Sequence, residues 1–98
     1  MVRTMPLTLT IQGKTFAIKY KKELIDKGNE FCGFAHCAEQ FIEISTKYPQ
    51  ECQESTLLHE IIEVINDLNE LGLKHHQICV LETGLWQVLR ENGMIKGG

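Results

Sequence analysis

No stretch of this sequence approaches the roughly 20 apolar residues needed to span a bilayer. Its opening, Met1-Val2-Arg3-Thr4-Met5-Pro6, lacks the long apolar run of a secretion signal. The expectation is a soluble, cytoplasmic protein with no membrane partner. No basic cluster is longer than Lys19-Tyr20-Lys21-Lys22, and 13 acidic residues outnumber 10 Lys and Arg, for a net charge of -3. That disfavours nucleic acid, whose binders draw affinity from clustered phosphate contacts. The four cysteines, Cys32, Cys37, Cys52 and Cys79, form no C-x-x-C pair and read as reduced thiols. The four residues between Cys32 and Cys37 are a poor spacing for a zinc hairpin. Internal repeats, linkers and low-complexity tracts are also missing. What remains, 98 residues of which 43% are hydrophobic, is enough for one modest core and too little for two domains.

The hydrophobic pattern changes near Pro49. Before it, Leu7, Leu9 and Ile11 alternate with polar residues, Gly13-Lys14 reads as a tight turn, and Phe16 and Ile18 continue the alternation to Tyr20. Lys21 to Asn29 reads as a short helix or a connection. Phe31–Ala38 and Gln40–Ser45 are two further strands, the second with Ile42 and Ile44 on one face. After Pro49 the period becomes about 3.6. Leu57, Leu58, Ile61, Ile62, Val64, Ile65, Leu68 and Leu71 share one arc; His59, Glu60, Glu63, Asn66, Asp67 and Glu70 share the other. Gly72 is a good helix stop, and Ile78, Leu81, Leu85, Val88 and Leu89 repeat at helical spacing up to Asn92-Gly93. The expected fold is α+β: a three- to four-stranded antiparallel meander over 1–48, a helix over 49–72, a second helix over 76–92 and a tail over 94–98.

The chemistry concentrates in Leu57-Leu58-His59-Glu60-Ile61-Ile62-Glu63. Residues i and i+4 of a helix project the same way with Cβ atoms about 6 Å apart, so His59 and Glu63 can share one metal ion. Glu60 lies between them, where a general base sits when such a helix binds zinc and water. A third ligand must come from elsewhere: His75 and His76, at the turn into the second helix, or Glu82, farther along it. Spacing leaves these three open. There is a plainer reading of the same residues as an acidic, solvated helix face. His36 beside Cys37 reads as packing or surface, and Trp86 and Tyr48 as core-edge residues.

The wording from Glu54 through the helix to Asn66, then Leu73-Lys74-His75-His76-Gln77-Ile78 and Leu81 to Gly93, resembles small phage and prophage proteins of the zincin metallopeptidase type. In those, a strand segment similar to 33–44 precedes a T-L-L-H-E-x-x-H helix. The likeness extends to the minimal cores of SprT-like and ImmA/IrrE-like proteins. It implies His59 as first metal ligand, Glu60 as general base and Glu63 in place of the second histidine. A SprT-like arrangement implies His75 as third ligand, and an ImmA/IrrE-like one Glu82. The expectation is a zinc site, or one for another divalent metal, on His59, Glu63 and His75. It would hydrolyse peptide bonds in a partner protein held as an extended segment. The alternative is a catalytically inactive zincin-like fold that works as a protein-interaction or regulatory module.

Overall fold

A computed structural model describes residues 5–94; the Met1–Thr4 start and the 95–98 part of the expected tail lie outside the described residues. Strand β1 (Thr8–Ile11) turns at Gln12-Gly13 into β2 (Lys14–Lys21). Both turn residues have positive φ, 49° and 84°, as a two-residue hairpin loop requires. The turn therefore falls one residue before the expected Gly13-Lys14. The segment read as a short helix or connection is a second hairpin, β3 (Leu24–Asp26) and β4 (Asn29–Phe31). Lys27 and Gly28 turn it with φ of 52° and 80°, and buried Leu24 anchors it to the body. Strands β5 (Gly33–His36) and β6 (Phe41–Ser45) follow, then helices α1 (Gln50–Leu68) and α2 (His75–Glu91).

The α+β class and the order of strands before a helical pair are as expected. The pairing is richer than a simple meander. β1–β2 and β5–β6 are antiparallel hairpins, but the sheet order is β1-β2-β6-β5, and β2 and β6 run parallel. The reason lies in burial. Ile42 and Ile44 of β6 are completely buried, and a strand with such a face is best placed centrally, beside Phe16 and Ile18 of β2, rather than at an edge. These four, with Ile11, Leu57 and Val64, make the core. Alternation along β2 sends Phe16 and Ile18 inward and Lys19 and Lys21 outward.

Helix α1 lies on the sheet, while α2 contributes a single buried residue, Ile78. Helix α1 stops at Leu68, a turn before the expected end at residue 72, because Asn66 draws the chain round. Its Nδ2 donates to the Leu73 carbonyl and its Oδ1 accepts from the Leu73 amide at 2.9 Å. Glu70 and Gly72 supply positive φ within this turn. Gln77 Oε1 then accepts the Lys74 amide at 2.8 Å, capping the start of α2. The clamp and the cap together fix where His75 emerges.

Candidate metal centre

His59 stands one helical turn before Glu63 on α1, and His75 opens α2. Their ligand atoms all lie within 4.8 Å of one another. The His59 Nε2 to Glu63 Oε2 separation is 3.5 Å. Donors held tetrahedrally at zinc–ligand distances of about 2.0–2.1 Å stand about 3.3 Å apart, so this pair is already near the required spacing. The His59 and His75 ring centroids are 5.3 Å apart. Two imidazoles and a carboxylate form a donor set suited to zinc.

Glu82 is not the third member of this group. Its Oε1 lies 2.8 Å from His59 Nδ1, on the side of the ring away from Nε2, and its Oε2 accepts from the Ser55 hydroxyl. A carboxylate so placed holds the imidazole's tautomer and orientation. His76, one residue along α2, points to solvent and lies outside the group. Of the three candidate third ligands, the geometry brings only His75 to His59 and Glu63.

Glu60 departs from the solvated arc assigned to it, since it is only 7% exposed. Burial pushes its carboxyl up to about 7; neighbouring His59 and an amide hydrogen bond from Ala35 oppose the rise, and the Glu63 and Glu82 carboxylates add to it. A carboxyl held near neutrality is matched to proton transfer at neutral pH. What makes the burial possible is Gly33 on β5: a Cβ there would lie 2.6 Å from Thr56 Cγ2 and 3.2 Å from Glu60 Cγ. The strand can lie against α1 only because that carbon is missing.

An open cleft of about 520 Å³ gives access to the group, with His59, Glu60, Glu63 and His75 along one side and Phe31, Gly33, Phe34 and Ala35 along the other. Cys37 and Asp67 also line it. Burial, and then the Asp67 carboxylate, push the Cys37 thiol up to about 11, so it is neutral. Helical spacing alone did not reveal Phe31, Phe34 or Gly33 as parts of the cleft; they come from strands whose placement depends on pairing. His36 sits outside it, on the opposite face of the sheet, stacked between Phe34 and Phe41 and 2.8 Å from Glu43. Among the described residues no helix is long and apolar enough to cross a membrane. Comparison with known protein families, with curated proteins and with solved structures finds no significant match to this chain.

Proposed function

We propose that the cleft is a divalent-metal centre, zinc foremost, held by His59, Glu63 and His75, and that the protein is a minimal zincin-like hydrolase of peptide bonds. The observation that carries this reading is the convergence of those three donors beside a buried carboxyl, Glu60. Zinc held there supplies Lewis acidity toward a scissile carbonyl and activates water. The chain's own residues do the rest. Glu82, braced by Ser55, fixes the His59 ring. Glu60 takes the proton that the attacking water loses and can return it to the leaving amine.

The substrate suited to this cleft is an extended segment of another protein. β5 is an edge strand, and the Ser45 amide donates to the Cys32 carbonyl. Alternation along the ladder then turns the backbone groups of Gly33 and Ala35 away from β6, toward the cleft. The Ala35 amide is taken by Glu60, which leaves the remaining Gly33 and Ala35 groups to pair with an added strand. All four cysteines are unpaired thiols, which suits work in a reducing cytoplasm.

Metal analysis of protein purified without chelator tests the centre. About one equivalent of zinc is expected, abolished by His59→Ala; a metal-free protein whose melting temperature zinc does not shift overturns it. Hydrolysis of unfolded protein substrates that Glu60→Gln abolishes supports the enzyme. Zinc binding without hydrolysis favours the second reading, an inactive zincin-like interaction module. That reading draws on the carboxylate of Glu63, 37% exposed at a ligand position, which adds charge to the centre.

A further inference from the structure

We infer that α2 is the contact surface for a second copy of this chain, in an antiparallel helix pair centred on Gly84 and Leu85. The inference is independent of the metal centre. Helix α2 has 17 residues and buries one of them. Leu81, Leu85 and Val88 are 41%, 44% and 49% exposed, and at 100° per residue they fall on one stripe beside the face that meets α1.

Three features point to a copy of the same helix rather than to another occupant. The arc holding Gln77, Leu81, Gly84, Leu85 and Val88 has no charged residue, so a two-fold pair that sets this arc against itself buries no charge. Glycine at position 84 is unfavourable in a helix interior, and nothing among the described residues explains it, because a side chain there would meet open space. A two-fold axis between 84 and 85 sets Leu81 against Val88 of the partner subunit and Leu85 over the partner's Gly84, so the missing side chain becomes the hole for the neighbouring leucine. The antiparallel sense also lays the Lys74 end of one helix beside the Glu91 end of the other, while Arg90 is already engaged with Glu51 of its own chain.

The size is adequate. Helices of 17 residues are about 25 Å long. Packed along that length, with the flanking side chains, they bury on the order of 1,000 Å² in total, about the threshold for a biological interface and the size of a weak, reversible one.

Sedimentation of the full chain up to about 100 μM tests this. The expected mass is twice 11.2 kDa. Leu85→Glu should sediment as the monomer with an unchanged circular dichroism spectrum. Gly84→Ala should weaken the dimer about tenfold by forcing the helices apart, although alanine is the better helix former. A chain of 11.2 kDa throughout, including one that gains mass only with a different protein, overturns the proposal. So does a dimer that survives Leu85→Glu, and an unchanged dissociation constant in Gly84→Ala overturns the register.

Discussion

The Nδ1 of His59 and the Oε1 of Glu82 lie 2.8 Å apart across the α1–α2 interface, with Ser55 holding the other carboxylate oxygen. The ring is thus turned so that Nε2 faces Glu63. At the proposed zinc centre, Glu82→Ala should weaken zinc binding about 10- to 100-fold, the usual cost of losing such a partner, while Glu82→Gln, which can still accept from Nδ1, should lose less. Competition against a chromophoric chelator measures both. Equal affinity in all three proteins would mean that the carboxylate does not orient the ring.

Gly33 predicts a local steric conflict. Gly33→Ala places a methyl 2.6 Å from Thr56 Cγ2 and 3.2 Å from both Glu60 Cγ and the Glu43 carbonyl. Overpacking of this kind costs about 1–3 kcal/mol. Thr56→Ser removes the closest atom, so the double variant should recover part of the loss. Urea unfolding of the four proteins gives the coupling; additive losses would place the strain elsewhere.

Glu43 predicts the acid limb of stability. Burial raises its carboxyl, but hydrogen bonds from Lys21 and His36 outweigh that and hold it below its ordinary value of 4.5. A carboxyl lowered in the folded state stabilises the protein above the unfolded value, and that stability is lost as pH falls through the folded one. Between neutrality and pH 4.5 its contribution should stay nearly constant, then decline at lower pH. Glu43→Gln should be less stable than the wild type at neutral pH and should converge on it in acid, as read from urea midpoints.

The thiols should differ in reactivity. Cys32 and Cys52 are exposed, whereas the Cys37 thiol, pushed up to about 11, supplies almost no thiolate at neutral pH. Iodoacetamide should modify Cys32 and Cys52 at least about tenfold faster than Cys37 in the folded protein, and urea should remove the difference. Mass spectrometry of the digested protein reports each site.

The helical half was legible because its signals are local. His59 and Glu63 are one turn apart, and any helix over 50–68 brings them together. His75 entered the same group because Asn66 clamps Leu73, an interaction no periodicity announces. Glu60 shows where the wheel misleads: it shares an arc with Glu63 by angle, but β5 packs over it, and only Gly33 permits that approach. The β3–β4 hairpin was missed because each strand has three residues, too few for alternation to show. The parallel β2–β6 pairing depends on the competition between strands for the centre of the sheet, which no single strand reveals.

That parallel pairing also orders events in time. The hairpins β1–β2 and β5–β6 close over a few residues and can form within about 1–10 μs. Joining them requires Lys21 to meet Ser45, after the chain between has been drawn into a loop, and the entropy of that closure comes before the contacts that repay it. The same step seats Ile42 and Ile44 against Phe16 and Ile18 and gives α1 a surface to pack on. Folding speed therefore rests on the seam between β2 and β6, and changes along it should slow folding more than equal losses of stability on α2.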